Sequence, residues 1–149
     1  MKLIVQRCDR AQVEVNNEIV GKIDNGMMIL VGFTHNDTEK EIDYLVNKVL
    51  NLRIFDDEKG IMNKSILDVG GSILSISQFT LYADATKGNR PSYINALNGE
   101  HAIHLYNRFN EKIKEKIHVE TGVFGAEMKV DFVNDGPITI LLEKESKDA

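Results

Sequence analysis

Residues 11–33, AQVEVNNEIVGKIDNGMMILVGF, contain three strand-like segments separated by two short turns. Ala11 to Val15 alternates apolar and polar side chains, which is the period of a half-buried strand. Asn16-Asn17 predicts the first turn, and Asp24-Asn25-Gly26 predicts a tight hairpin because an Asn-Gly pair accepts positive φ. The apolar run from Met27 to Phe33 predicts a strand covered on both faces. Strands joined in this way favour an antiparallel sheet.

Two segments have the 3.6-residue periodicity of amphipathic helices. The first begins near Thr38 and Glu41, which have the Thr-x-x-Glu spacing of a capping box. Its apolar stripe consists of Ile42, Leu45, Val46, Val49 and Leu52. The second helix is predicted from Gly99 to Ile117. Its apolar stripe consists of Ala102, Tyr106, Phe109, Ile113 and Ile117.

The remaining strands complete the predicted fold. Ser72 to Leu81 predicts a strand that turns Ser75 and Ser77 away from its apolar face. Pro137 is predicted at the start of the last strand, where a missing N–H costs no ladder bond. We therefore expect a single compact α+β domain over residues 1–149, with a mainly antiparallel, strongly curved, barrel-like sheet and two amphipathic helices. Some mixed strand pairing is left open.

The composition of the 149-residue chain limits its function and compartment. A net charge of -5 argues against a protein that coats nucleic acid, although contact with one nucleic-acid end is compatible with it. The single cysteine, Cys8, fits a reducing compartment. The sequence has no basic-then-apolar leader and no apolar run of membrane-spanning length. We expect a cytoplasmic protein that does not contact a membrane.

The segment Ser77-Gln78-Phe79-Thr80 combines two hydroxyls, an amide and an aromatic ring. Such a set can position an ester and its oxyanion, but it is also compatible with an ordinary strand end of mixed polarity. A hydroxyl nucleophile needs an adjacent base, and none is close in sequence. The histidines are scattered at positions 35, 101, 104 and 118, and Cys8 is expected to be a small buried hydrophobe.

No metal site is predicted. His101 and His104 lie three residues apart without a cysteine or carboxylate partner nearby, which is a weak metal signal and favours surface or packing roles. The acidic turn from Asp56 to Gly60 lacks the alternating oxygen ligands and the closing glutamate of a calcium loop. A solvated turn is expected there.

Gly136-Pro137 has two interpretations from sequence alone. The pair can form a turn that starts a strand. Alternatively, an X-Pro bond can be cis at modest cost, and a cis bond would direct consecutive carbonyls the same way as a rigid pair of acceptors.

Four motifs follow one another along the chain: SQFTLYAD (77–84), GNRPS (88–92), TGVFGAEM (121–128) and NDGPIT (134–139). Together with Val5-Gln6-Arg7 and Ala11-Gln12-Val13 near the N-terminus, they resemble the D-aminoacyl-tRNA deacylases, the D-tyrosyl-tRNA(Tyr) deacylase family. The resemblance spans nearly the whole chain. The combination of the Ser-Gln-Phe-Thr segment with the Gly-Pro element is highly specific.

The resemblance implies a proofreading hydrolase of translation quality control. The family cleaves the ester that joins a D-amino acid, or glycine, to the 3′-terminal adenosine of tRNA, and it rejects L-aminoacyl-tRNA. The resemblance further implies a homodimer with active sites at the interface, the aminoacylated tRNA end as partner, no DNA, no metal and no cofactor.

The resemblance also implies roles for particular residues. Ser77, Gln78, Phe79 and Thr80 would line the ester pocket, and the backbone N–H groups of Phe79 and Thr80 would be oxyanion donors. The cis Gly136–Pro137 element would enter the partner's pocket and hold the substrate's α-amino group, so that an L side chain collides with it. The remaining assignments are Phe124 and Met128 as pocket walls, Arg7 as a support of the Gly-Pro element, and Lys87 and Arg90 as tRNA contacts.

Two mechanisms are compatible with these residues. Thr80 attacks the ester as a covalent nucleophile, or the protein positions the ester while the 2′-hydroxyl of the terminal ribose helps to activate water. The missing base beside Thr80 favours the second mechanism. Two alternative functions are a non-catalytic module that binds RNA ends and a deacylase tuned to another mischarged tRNA.

Overall fold

The computed structural model describes residues 1–147, so the last two residues of the predicted domain lie outside its described part. Strands and helices alternate irregularly along the chain. They are β1 (Lys2–Val15), β2 (Glu18–Ile23), β3 (Gly26–Gly32), α1 (Glu39–Asn51), β4 (Phe55–Asp56), β5 (Met62–Lys64), α2 (Ile66–Val69), β6 (Ser72–Ser77), a 3₁₀ turn (Phe79–Tyr82), α3 (Gly99–Lys114), β7 (Val119–Thr121) and β8 (Lys129–Glu143).

One curved sheet of mixed pairing organises the domain. Its strand order is β2-β1-β3-β6-β7, and β8 pairs with β1. The β1 pairs are antiparallel, whereas β6 is parallel to both β3 and β7. The sheet nearly closes, because Gly21 of β2 lies so near β7 that a Cβ there would be 2.6 Å from the Thr121 carbonyl oxygen. The predicted single α+β domain with a curved, barrel-like sheet is confirmed.

The expected hairpin at Asp24-Asn25-Gly26 is wrong. β2 and β3 do not pair with each other, because the long β1 is the partner of both: Ile23 lies opposite Ala11, and Gly26 lies opposite Cys8. Gly26 is needed for close packing, since a Cβ at this position would run into the backbone of Ser72. The positive φ values occur at the predicted first turn, where Asn16 has φ 51° and Asn17 has φ 65°.

Both predicted amphipathic helices are present, and a short third helix, α2, was not predicted. The capping box is confirmed: the amide of Lys40 donates to Thr38 Oγ1 at 3.2 Å, and the amide of Thr38 donates to Glu41 Oε1 at 2.7 Å. α3 begins at Gly99 as expected but ends at Lys114. The helices pack on one face of the sheet against a core that includes Leu3, Val31, Leu45, Val49, Phe109 and Ile113.

The strand predicted from Ser72 to Leu81 is too long. β6 ends at Ser77, and the chain then turns in the 3₁₀ segment. Ser75 was expected to face away from the core but is fully buried. β6 lies between two parallel neighbours, and its side chains enter two separate apolar clusters, Ile73 in one and Leu74 in the other, so both of its faces are covered.

The sequence predicted Pro137 at the start of the last strand, but Pro137 lies inside β8. β8 continues through Gly136 and Pro137, with a bulge opposite β1. Gln6 pairs with Thr139 and Cys8 pairs with Asn134, so the four residues 135–138 lie opposite Arg7 alone. A bulge accepts proline inside a long strand because the extra residues take no part in the ladder.

Candidate active site

A cavity of about 580 Å³ opens where β3 and β6 end. The chain segments around it are the end of β6 with the start of the 3₁₀ turn, the segment that precedes α3, and the loop between β7 and β8. Five predicted site residues line it: Ser77, Gln78, Phe79, Phe124 and Met128. Residues far apart in sequence therefore meet at one concave site.

The strand-to-turn junction presents backbone donors beside this cavity. The amide of Gln78 is bound to the Val31 carbonyl at 2.8 Å, which fixes the end of β6 against β3. The next two amides, of Phe79 and Thr80, have no acceptor among residues 1–147, because they lie in the first turn of the 3₁₀ segment. These unpaired N–H groups, at and next to the lining residue Phe79, can donate hydrogen bonds to an oxygen of a substrate.

The Thr80 hydroxyl is exposed and is not among the groups that line the cavity. Its hydrogen-bond partner is the side-chain amide of Gln78, whose Nε2 donates to Thr80 Oγ1 at 2.5 Å. Within the described chain, no carboxylate or imidazole hydrogen-bonds to this hydroxyl. An amide N–H cannot accept a proton, so Gln78 orients Thr80 without activating it.

Two exposed aromatic rings form the mouth of the cavity. Phe79 is 54% exposed, and its ring packs edge-on against Tyr93 with 5.1 Å between centroids. Tyr93 belongs to the segment 93–98, which also contributes Ala96, Leu97 and Asn98 to the lining. The sequence motifs do not include this wall. A signal was present in Tyr93-Ile94, two large apolar residues in a polar loop directly after the GNRPS motif.

The opposite wall is formed by Phe124 and Met128 and is supported from below by α3. The Phe124 ring lies 5.8 Å from the ring of Tyr106, measured between centroids. The Tyr106 hydroxyl donates to the buried carbonyl of Ser75 at 2.6 Å, and burial raises the pKa of this hydroxyl. It therefore remains a protonated donor at neutral pH and ties α3 to β6 beneath the cavity.

Arg7 is buried behind the β8 bulge and forms one ion pair with it and another with β4. Its Nη1 donates to the Ile54 carbonyl at 2.8 Å and lies 3.4 Å from a carboxylate oxygen of Asp56. Its Nε lies 3.1 Å from a carboxylate oxygen of Asp135, the residue before Gly136. Asp56, the first residue of the predicted acidic turn, is therefore one of the two ion-pair partners of Arg7.

Gly136 and Pro137 are exposed, and their peptide bond is cis. The side chain of Asn134 closes the base of the bulge: Oδ1 accepts from the Ile138 amide at 3.3 Å, and Nδ2 donates to Thr139 Oγ1 at 3.1 Å. Neither Gly136 nor Pro137 lines the cavity of its own chain. Within one chain, the cavity and the Gly136–Pro137 element, which the sequence predicted as parts of one site, therefore lie at separate places.

Lys87 and Arg90 lie in an exposed loop whose ends are joined by two hydrogen bonds of 2.8 Å between the backbones of Asp84 and Ser92. Neither cation has an ion-pair partner within residues 1–147. The loop leads directly into Tyr93 at the mouth of the cavity. It can contact a charged ligand that extends out of the site.

The residues that line the cavity include the carboxylate residue Glu127, whereas Cys8, His101 and His104 lie outside the lining. Cys8 is buried, and burial raises the pKa of its thiol to about 11, so it is a neutral thiol at physiological pH. His101 and His104 are exposed on α3. No group of three or more metal-ligating side chains occurs in the described part of the chain, and no helix there is long and apolar enough to cross a membrane.

The sequence matches the family described as D-Tyr-tRNA(Tyr) deacylase over residues 4–143. The chain belongs to this family. The prediction of the family is therefore confirmed, and with it the enzyme class, a hydrolase that acts on carboxylic ester bonds.

Relatives and a solved structure agree with this assignment over nearly the full length. A D-aminoacyl-tRNA deacylase of Thermus aquaticus is 50% identical over 148 residues, which cover 99% of this chain and 97% of that protein. A D-aminoacyl-tRNA deacylase of Brevibacillus brevis is 55% identical over 144 residues, covering 96% of this chain and 99% of that protein. A solved structure described as c-Myc DNA Unwinding Element Binding Protein has a TM-score of 0.93 and 42% identity, covering 98% of this chain and 100% of its own.

Proposed function

We propose that this deacylase hydrolyses the ester between a D-amino acid, or glycine, and the 3′-terminal adenosine of tRNA, and that it rejects L-aminoacyl-tRNA. One observation carries the proposal. The cavity with unpaired amides and the exposed Gly136–Pro137 element lie apart within one chain, although both belong to the family's motifs. A homodimer in which each chain offers its Gly-Pro element to the partner's cavity joins the two halves.

The geometry around Gly136 supports a role in selecting handedness. Arg7 and Asn134 hold the bulge from behind, so the exposed element is stiff and cannot withdraw freely from a ligand. In the proposed complex, the carbonyls of Gly136 and Pro137 bind the α-amino group of the substrate. A D side chain, or the hydrogen of glycine, then points away from the element, whereas an L side chain collides with it.

The rim amides of Phe79 and Thr80 are the proposed oxyanion donors. They have no acceptor within residues 1–147, so donating to the oxyanion of a tetrahedral intermediate breaks no existing hydrogen bond. Phe79, Phe124 and Met128 provide apolar walls around the ester. Water exclusion strengthens a hydrogen bond to developing charge.

The proposed general-base assistance comes from the substrate. The 2′-hydroxyl of the terminal ribose is adjacent to the ester and helps to activate the attacking water. The Thr80 hydroxyl is held by an amide that cannot take its proton, which favours this mechanism over covalent attack by Thr80.

The proposed tRNA contact at Lys87 and Arg90 leads to a testable prediction. Replacing both by alanine is expected to raise KM for aminoacyl-tRNA about fivefold with kcat unchanged, and to reduce the slope of log KM against log salt by about 1 to 2, because two phosphate contacts are lost. Steady-state kinetics at several salt concentrations measure both effects. The matched control removes Lys114 and Lys116, two lysines of α3 and its end that lie outside the cavity lining and should leave KM unchanged. An unchanged KM in the Lys87/Arg90 variant contradicts the assignment.

The function itself is tested by hydrolysis of matched D-, L- and glycyl-tRNA by the purified protein. We expect release of free tRNA from the D-aminoacyl and glycyl substrates and about 100-fold slower release from the L-aminoacyl substrate. Binding without hydrolysis would favour the RNA-end binding module. Preferential hydrolysis of one L-aminoacyl-tRNA would favour a deacylase tuned to another mischarged tRNA.

The name of one structural relative refers to a DNA element. The net charge of -5 argues against extended duplex contact by this chain, so DNA is not part of the proposal. A cytoplasmic location is proposed because charged tRNA is the substrate.

A further inference from the structure

The loop that follows β3 reaches across to the segment 93–98, the wall of the cavity that the family motifs do not include. Thr34 Oγ1 donates to the Asn95 carbonyl at 2.5 Å, and His35 Nε2 donates to the Ile94 carbonyl at 2.8 Å. Two consecutive side chains therefore hold two consecutive carbonyls of the wall. We call this pair of contacts the wall clamp.

The wall clamp is itself anchored to the fold. The Thr34 amide donates to Asp37 Oδ2 at 2.7 Å, and the Asp37 carboxylate is almost fully buried in an ion pair of 3.0 Å with the amino group of Met1. Backbone contacts continue the attachment, because the Leu97 amide donates to the Phe33 carbonyl at 3.0 Å. The clamp and the backbone bond thus hold the wall at a fixed position relative to the end of β3.

The clamped residues, Ile94 and Asn95, lie between two residues that line the cavity, Tyr93 and Ala96. Tyr93 lies next to Ile94, and its ring packs on Phe79 at the mouth. Ala96 follows Asn95 and lines the cavity. Ile94 itself is 75% exposed and makes little apolar contact of its own, so packing of its side chain does not hold the wall there. Hydrogen bonds to the backbone must supply the rigidity.

We infer that Thr34 and His35 are positioning residues for the deacylation reaction, which set the mouth of the cavity through Tyr93 and Ala96 without touching the substrate. This inference rests on the proposed function. The wall lines the cavity, whereas the Gln78 amide, which directly precedes the two rim amides, is fixed to the Val31 carbonyl of β3, so loosening the wall weakens substrate binding more than the chemical step.

The test compares Thr34→Val with His35→Ala, singly and combined, on D-tyrosyl-tRNA. The double variant is expected to raise KM about tenfold and to change kcat less than threefold, while its melting temperature stays within a few degrees of the parent's. Thr34→Ser and His35→Gln keep a side-chain donor and should restore most of the binding. His104→Ala, an exposed histidine of α3 outside the cavity lining, is the control and should leave both constants unchanged.

A second measurement is independent of activity. Hydrogen exchange at the amides of Ala96 and Leu97 should be faster in the double variant, whereas exchange in α3 should not change. A fall in kcat at constant KM, or unchanged KM together with unchanged exchange, overturns the inference. If the parent protein hydrolyses neither D-aminoacyl-tRNA nor glycyl-tRNA, the proposed function fails, and the exchange measurement still decides whether the clamp holds the wall.

Discussion

Gly136→Ala is expected to lower kcat/KM for D-aminoacyl-tRNA by about 100-fold, a loss of about 2.7 kcal/mol in transition-state stabilisation. The residue has φ +123°, and an added Cβ would lie 2.7 Å from Ile138 Cγ1 and 3.0 Å from the Ile138 amide nitrogen. It would also reach van der Waals contact with Arg7, which supports the bulge, at 3.4 Å from Nη2. The element must therefore shift, and its carbonyls leave the position proposed for binding the α-amino group.

The same change should reduce the preference for D over L substrates, because the colliding surface is displaced together with the carbonyls. Gly60→Ala is the matched control. Gly60 also has positive φ, at +76°, but no atom lies within 4 Å of its added Cβ, so this variant bears the backbone cost without the clash. Kinetics on D- and L-aminoacyl-tRNA, with circular dichroism to establish folding, measure the effect. A folded Gly136→Ala enzyme with parental rate and selectivity would rule out the proposed role.

A tRNA that ends in 2′-deoxyadenosine is expected to be hydrolysed at least about 100-fold more slowly than its ribose counterpart, whereas Thr80→Ala should remain within about tenfold of the parent. The Thr80 hydroxyl accepts from Gln78 Nε2, and no base within residues 1–147 hydrogen-bonds to it. In the proposed mechanism, the 2′-hydroxyl, which adjoins the ester, supplies the assistance. Single-turnover hydrolysis of both substrates by both proteins measures the contrast.

Thr80→Ser is the control for this experiment, because it keeps a hydroxyl that Gln78 can bind. Covalent attack predicts that Thr80→Ser retains activity, that folded Thr80→Ala has none, and that rapid quenching of the parent traps an acyl-enzyme. That set of results would contradict assistance by the RNA. Equal rates on ribose and deoxyribose substrates would contradict it as well.

Sequence patterns correctly predicted those helices and strands whose formation depends mainly on residues close by in the chain. The capping box of α1, the apolar stripe of α3 and the buried strand β3 follow from spacing alone, and all three are present. The prediction that β2 pairs with β3 was wrong because the long strand β1 pairs with both of them, and its length is not evident from the turn between β2 and β3. Gly26 resembles a turn glycine in sequence but is required for the close approach of β6.

The candidate site was predicted in part. The motif residues Ser77, Gln78, Phe79, Phe124 and Met128 line one cavity. The wall at 93–98 and its clamp were not predicted. Their contacts join the loop after β3 to a segment about 60 residues away, and neither segment has a periodic sequence pattern. Ser75 was misplaced because alternation alone cannot reveal that both faces of β6 are covered.

The most direct test of the composite site is a mixed dimer. One chain carries Gly136→Ala, which damages the element proposed to enter the partner's cavity, and the other carries Phe79→Ala with Phe124→Ala, which damages the cavity. With different C-terminal tags, two-step purification isolates the heterodimer. It contains one site with an intact cavity and an intact partner element, so about half of the parental activity on D-aminoacyl-tRNA is expected although both homodimers are inactive. A heterodimer as inactive as the two homodimers would contradict a site completed across the interface.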